Sequence, residues 1–295
     1  MSAKQPITPR AELKLRARQR MGGTNFAPTA TLGAAVVVLT LLLEWFYMRS
    51  GAAINLYYWS TAGSDIQSSF SLSGDGLFAA LRVEEMGAGF SVAVTAEGLL
   101  KFLLVQLAMT VAAAPLYLGA LDNLWAIYRA EARPFRTVLR WYTDLRRAGR
   151  AIVMQLVLQI VSTGLTVVFA VPGLLVLRGS GGEMTMVSLG LWLVVAARAA
   201  AWCCMTQLMP AKFLLARDCD KGVLAAFKDG WALLKGRHRE YLYLWLSFAL
   251  WEIVNGLTRN MMSLYLFPYE GFTNMEWMTE CGGLQREENV PVAHF

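Results

Sequence analysis

Apolar residues along this chain gather in long blocks instead of recurring at the spacing of a half-buried helix or strand. The first block covers about 27–48; it is free of charge from Thr29 to Leu43 and ends on Glu44, Trp45, Phe46 and Tyr47. At a rise of about 1.5 Å per residue, roughly 20 such residues cross a hydrocarbon core about 30 Å thick. An aromatic end suits a membrane interface and not a cleavage site, so the block reads as an uncleaved span. Comparable blocks at about 99–121, 151–177, 184–208 and 241–267 bring the candidates to five. The last is interrupted by Asn255, Gly256, Arg259 and Asn260. It reads either as one span ending near Thr258 with a short interfacial helix beyond, or as a broken helix lining protein. The predicted fold is all-α: a polytopic transmembrane helical bundle of about five spans, or six, with amphipathic cytoplasmic interfacial helices.

The polar stretches between blocks divide by charge. Residues 1–26 hold six basic side chains, residues 122–150 seven and residues 210–240 seven of the chain's 27. Between Arg49 and Gly98 there are two arginines against Asp65, Asp75, Glu84, Glu85 and Glu97. Lysine and arginine are retained on the cytoplasmic side, so the amino terminus is expected inside and, with an odd number of spans, the tail outside. The organisation expected is a basic cytoplasmic segment 1–26, a bundle over 27–267, a mostly irregular outer loop 51–98 and a loose acidic tail 268–295, in the plasma membrane.

Two inner segments carry amphipathic patterns. In 134–147, Phe135, Val138, Leu139, Tyr142 and Leu145 fall on one side of a helix and Arg136, Arg140 and Arg147 on the other. In 221–235, Leu224, Phe227, Trp231 and Leu234 repeat at helical spacing before Gly236, among Lys221, Lys228 and Lys235. These six cations are the candidate contacts to anionic lipid headgroups, each attracted by about 1 kcal/mol. A docking helix for a membrane-protein partner is the sharper alternative.

Composition agrees with lipid as the solvent: 56% of residues are hydrophobic and only 16% charged, against about 25% charged in soluble domains. The net charge of +6 is accounted for by topology, so nucleic acid is not an expected partner. No HExxH, GxxxxGK or GxSxG pattern occurs. His238 and His294 are too far apart for a histidine-based metal site, and Cys203, Cys204, Cys219 and Cys281 lack zinc spacing. Cys203 and Cys204 read as small buried apolar residues, and Cys281, alone on the expected outer side, as a candidate for pairing between chains. No catalytic residue, metal or cofactor is expected.

Charges inside the blocks are the remaining candidates, since an ion in hydrocarbon costs roughly 2.5–3.5 kcal/mol even on insertion scales. Glu44 is close enough to the interface to snorkel. Arg198 and Glu252 lie deeper and, if spans four and five are antiparallel, at similar depth, which makes them a candidate intramembrane pair. Ala196, Ala197, Ala199, Ala200 and Ala201 suit close helix contact, and Gln155 and Gln159 share a face suited to hydrogen bonds between helices.

From Met209 to about Met278 the chain reads MPAKFLLARD, AAFKDGWALLKGRHREYLYLWLSFALWE and LYLFPYEGF. This resembles an uncharacterised bacterial integral membrane family, domain of unknown function 975. The resemblance is carried by Lys235, Gly236, Leu246, Ser247, Phe248, Trp251, Pro268 and Tyr269, with Val171, Pro172 and Gly173 adding to it. It implies a membrane bundle and lends no activity. Residues 178–208 and the long 51–98 loop depart from the family pattern. Three function classes follow: a non-enzymatic accessory, assembly or envelope factor, which the missing catalytic groups favour; a small transporter or channel component; and a lipid-binding regulator.

Overall fold

The structure, a computed structural model, describes residues 9–50, 55–59, 68–71, 89–92, 96–131, 133–179 and 183–282. Lys4, His294, most of the 51–98 loop and the tail beyond 282 lie outside the described residues. Ten helices follow in order: α1 (Arg10–Met21), α2 (Phe26–Ser50), α3 (Ala96–Tyr128), α4 (Arg140–Thr143), α5 (Leu145–Gly179), α6 (Met184–Thr206), α7 (Met209–Arg217), α8 (Val223–Leu234), α9 (His238–Leu257) and α10 (Ser263–Gly282). Among the described residues, four stretches are long and apolar enough to cross a membrane: Gly23–Phe46, Leu103–Tyr128, Leu145–Leu177 and Thr185–Arg217. They correspond to the first four hydropathy blocks.

The fifth block is different. Helix α9 stops at Leu257, the chain turns through Arg259 and Asn260 with φ of 50° and 60°, and α10 begins at Ser263. Left-handed backbone at two successive non-glycine residues cannot continue a helix. The segment expected to open a loose tail at 268 is instead helical, and from Leu266 to Thr279 it is largely enclosed. Leu266, Phe267, Tyr269, Phe272, Met275, Trp277 and Met278 are all buried, as are Thr273, Asn274 and Glu276.

In the expected outer loop, Asn55–Trp59 (β1), Ser68–Ser71 (β2) and Gly89–Val92 (β3) form an antiparallel sheet in the order β2-β1-β3. Leu56 pairs with Phe70 on one side and Val92 on the other. The run Asn-Leu-Tyr-Tyr-Trp is rich in aromatic residues, which favour a pleated surface; it is too short to register as a hydropathy block, so the sheet departs from the irregular loop that the sequence predicts.

The chain divides into two compact units, one from Met1–Leu42, Val111–Gln155 and Thr206–Phe295, the other from Leu43–Thr110 and Leu156–Met205. In the first unit α10 is the hub. Gly33 of α2 approaches it so closely that a Cβ there would stand 2.1 Å from the Leu264 carbonyl oxygen. Tyr117 of α3 meets Phe267 edge to face at 5.4 Å, and the Tyr128 hydroxyl donates to Thr279 Oγ1 at 3.2 Å. Tyr241 of α9 stacks on Trp277 at 4.5 Å and donates its hydroxyl to Asn274 Oδ1 at 2.9 Å. Helix α8 packs on α7, where Gly230 leaves room for the Ala211 backbone.

In the second unit, α5 and α6 meet through Gly173 and Gly190, since a Cβ on Gly173 would lie 2.9 Å from the Gly190 carbonyl oxygen. Their outer faces are apolar and open: Val168, Trp192 and Val195 are each more than half exposed.

Candidate functional site

Helix α1 is short and carries Arg10, Lys14, Arg16, Arg18 and Arg20, yet Leu13 and Ala17 are fully buried. Its apolar face seats on α10 and its cations find partners on α9 and α10. The Arg10 guanidinium donates to the Tyr243 carbonyl at 3.1 Å, and Lys14 Nζ donates to the Ser247 carbonyl at 3.1 Å. Arg16 pairs with Glu280 at 2.8 Å, and Arg20 pairs with Glu276, whose side chain is 1% exposed. The end of α10 therefore lies against the amino-terminal helix, not at the opposite end of the bundle as an odd number of spans implied.

Between α1, α9 and α10 lies a polar cluster. Lys14 Nζ stands 3.9 Å above the Phe248 ring, which meets Tyr269 edge to face at 5.4 Å. Glu270 follows Tyr269 on α10, near enough to Glu252 and Lys14 to feel both charges. Glu270 Oε1 is closed to solvent and has no hydrogen-bond partner among the described residues. Next to Glu252, Asn255 Nδ2 donates to Ser263 Oγ at 3.0 Å and approaches Glu252 Oε2 at 3.5 Å, tying α9 to the start of α10 across the break. On α3, Tyr117 senses both carboxyls, and Lys212 of α7 stands 5.1 Å from the Tyr117 ring centroid.

The electrostatics follow burial. Desolvation lowers the Lys14 ammonium from its ordinary value, with the neighbouring Glu270 opposing that shift and Arg18 and Arg10 adding to it. Glu270, outside the four candidate spans, is held well above the ordinary carboxylate range, first by burial and then by Glu252. Burial likewise pushes the thiols of Cys219 and Cys281 up to about 11. A thiol so raised is a poor nucleophile at neutral pH; Cys281 is half-buried near Arg237.

The predicted residues fall as follows. Glu252 is part of this cluster. Arg198, in the other unit, points its guanidinium toward Ser162 Oγ and Thr166 Oγ1, both at 3.4 Å. Gln159 accepts from Thr110 Oγ1 at 2.9 Å and donates to Gln106 Oε1 at 3.2 Å, a hydrogen-bonded link between α5 and α3. Cys203 is half-buried and Cys204 exposed, contrary to the expectation that both are enclosed. Of residues carrying the family resemblance, Ser247, Phe248 and Tyr269 meet under Lys14, Gly236 turns the chain between α8 and α9 with φ of 77°, and Leu246 and Trp251 face outward.

The basic surfaces are built differently from expectation. Residues 134–147 are not one helix: Phe135–Leu139 is a 3₁₀ turn, α4 is a single turn, and Leu145 and Arg147 belong to α5. Asp144, with extended backbone, separates them and pairs with Arg147 at 3.2 Å. Val138 and Trp141 turn inward while Phe135, Leu139 and Tyr142 stay exposed beside Arg136 and Arg140. In α8, Leu234 is buried with Ala226 and Gly230. Leu224 is 83% and Trp231 56% exposed, next to exposed Lys228 and Lys235, while Lys221 pairs with Asp229.

Sequence reasoning missed Lys14 and Glu270. Both were counted as topological charges, in the basic segment and the acidic tail. The signal lay in their neighbours: Glu270 sits inside the apolar run from Leu264 to Phe272, and Leu13 and Ala17 flank Lys14 at helical spacing. No described group of three histidine, cysteine or acidic residues is placed to hold a metal ion. No family model, curated protein or solved structure matches this chain.

Proposed function

We propose that this chain is a non-enzymatic accessory factor of the bacterial plasma membrane, anchored by its spanning helices and acting through its basic, cytoplasmic face on anionic phospholipid headgroups. The observation that carries the reading is the pairing, on two separate surface segments of one unit, of exposed apolar side chains with exposed cations. Leu224 and Trp231 stand with Lys228 and Lys235, and Phe135 and Leu139 with Arg136 and Arg140. Aromatic and aliphatic groups seat in the headgroup boundary while flanking cations meet phosphate, which is how a surface helix engages a charged leaflet.

The test is lipid retention. The full chain would be placed in nanodiscs of phosphatidylcholine with one part phosphatidylglycerol in three, released in mild detergent and weighed intact by mass spectrometry. Wild type should retain phosphatidylglycerol in preference to phosphatidylcholine. Combined K228E, K235E, R136E and R140E should abolish that preference at unchanged fold, each reversal removing about 1 kcal/mol of attraction. Equal retention of both lipids by wild type would overturn the reading.

A further inference from the structure

We propose that Arg198 of α6, together with Ser162 of α5, binds a phosphate oxyanion within the second unit, supplied by a phospholipid headgroup or by free inorganic phosphate.

A charge without a counter-charge is the starting point. Arg198 is half-buried inside the apolar stretch Thr185–Arg217, and at about 1.5 Å per residue it lies roughly 12 Å along α6 from the end at Thr206. Ionised side chains inside a span are rare, and they mark either a protein partner or a bound ligand. A lysine or a carboxyl so placed can neutralise itself by changing protonation; a guanidinium does not lose its proton in a protein. Among the described residues no carboxylate pairs with Arg198. Its contacts there are Ser162 Oγ and Thr166 Oγ1, each 3.4 Å from Nη1. Both are longer than the roughly 2.7–3.2 Å of a well-formed N–H···O bond. Five N–H donors thus meet two distant acceptors, and Nε and Nη2 have no hydrogen-bond partner among the described residues.

The two hydroxyls differ in what they can offer a ligand. Thr166 donates its hydroxyl proton to the Ser162 carbonyl at 2.8 Å, so its oxygen is left to accept from the guanidinium. Ser162 has no acceptor for its own hydroxyl proton among the described residues, and that O–H is free to donate. A cationic fork on one helix and a hydroxyl donor on the next both ask for a negatively charged acceptor. Phosphate fits this pair: two of its oxygens take parallel N–H bonds from the fork, and a third, out of that plane, takes the Ser162 O–H. A carboxylate has only two oxygens. A phosphodiester or dihydrogen phosphate carries one negative charge and makes the site neutral.

The placement follows from spacing. Gln159, Ser162 and Thr166 recur at intervals of four and three residues, a polar stripe on a helix that exposes Ile160, Val167 and Val168 elsewhere. Gln159 is spent on α3, while Ser162 and Thr166 turn to α6, whose backbone the Gly173 and Gly190 contact brings close. All three groups of the site belong to the second unit, and the site does not depend on the surface reading above.

The test has two arms, one for each source of phosphate. The full chain would be washed in excess neutral detergent and weighed intact by mass spectrometry. One phospholipid still attached identifies a lipid headgroup as the occupant. If the washed chain is bare, equilibrium dialysis against radiolabelled inorganic phosphate should find one phosphate bound. In whichever arm binds, R198L should abolish binding, S162A should weaken it about tenfold or more, and T166V should change it less than about twofold, because Thr166 has no proton to give. The combined K228E, K235E, R136E and R140E reversal should leave it intact. If R198L does not fold, the contrast between S162A and T166V decides. Neither adduct on wild type, binding that survives R198L, equal effects of S162A and T166V, or loss on the fourfold surface reversal would overturn the proposal. A guanidinium solvated by the two hydroxyls alone predicts neither adduct.

Discussion

Helices α6 and α10 are of similar length, 23 and 20 residues, and they treat water and apolar surroundings in opposite ways. Helix α6 is the more apolar, yet Leu189, Leu191, Trp192 and Val195 on it are exposed. Helix α10 carries Glu270, Asn274, Glu276 and Glu280, yet from Leu266 to Thr279 it is almost entirely enclosed. In a water-soluble protein the exposures would be reversed. Apolar helices outside and a polar helix inside is the economy of a bilayer, where lipid tails cover apolar faces without cost and polar groups must meet one another within protein. The two units apply this rule with different chemistry. The unit containing α10 pairs ions, Arg16 with Glu280 and Arg20 with Glu276. The unit containing α6 uses neutral donors and acceptors, Thr110, Gln159 and Gln106, and gives Arg198 two hydroxyls in place of a carboxylate.

The sharpest way to break this contrast is to shave one tryptophan from each helix. Trp277 on α10 is 1% exposed and Trp192 on α6 is 70% exposed. Trp277→Ala should cost about 4 kcal/mol, as large aromatic truncations in packed cores do. Trp192→Ala should cost less than about 0.5 kcal/mol, because its indole is already outside the protein interior. Unfolding by sodium dodecyl sulfate in mixed micelles, followed by far-ultraviolet circular dichroism, measures both. Comparable losses would mean that α10 is no more central than α6.

The second effect is electrostatic. Glu276→Leu leaves Arg20, 25% exposed, without a carboxylate and with only the carbonyl and ring of Tyr128 as partners, and should cost about 3 kcal/mol. Combining it with Arg20→Met should restore most of the loss, since removing both charges removes the penalty of an unpaired one. The same unfolding assay reads the cycle. Additive losses would show that α1 is held to α10 by apolar contact through Leu13 and Ala17 and not by the ion pair.

Hydropathy made the four long helices legible, with ends that the structure extends. The block expected over 99–121 continues to Tyr128, because Asp122, Asn123 and Trp125 keep a helical register while spending their polar atoms on neighbours: Trp141 and Arg133 on Asp122, Thr137 on Asn123, and the Phe213 carbonyl on Trp125. A polar residue ends a hydropathy block without ending a helix. Helix α10 was illegible for the same reason in stronger form. Its enclosed face is assembled from Glu276, Asn274 and Thr279 together with aromatics, a pattern that reads as an acidic tail until α1 and α9 supply Arg20 and Tyr241. Of the candidate pair, Glu252 was visible as a charge inside an apolar run. Glu270, which shares its cluster, lay 18 positions on, past a break whose turn depends on the left-handed backbone at Arg259 and Asn260.

The smallest effect tests the neutral side of the comparison. Gln159 bridges α5 to two residues of α3, accepting from Thr110 and donating to Gln106. Hydrogen bonds between membrane helices average about 0.6 kcal/mol, so Gln159→Leu should cost about 1 kcal/mol in the unfolding assay. Part of that loss is offset by the added apolar surface, and Gln106 and Thr110 are left to each other: Thr110 already donates to the Gln106 backbone carbonyl at 2.8 Å. A loss as large as that of Glu276→Leu would place the two kinds of polar contact on equal footing. The division between an ion-paired unit and a hydrogen-bonded one would then be a difference of residue type and not of energy.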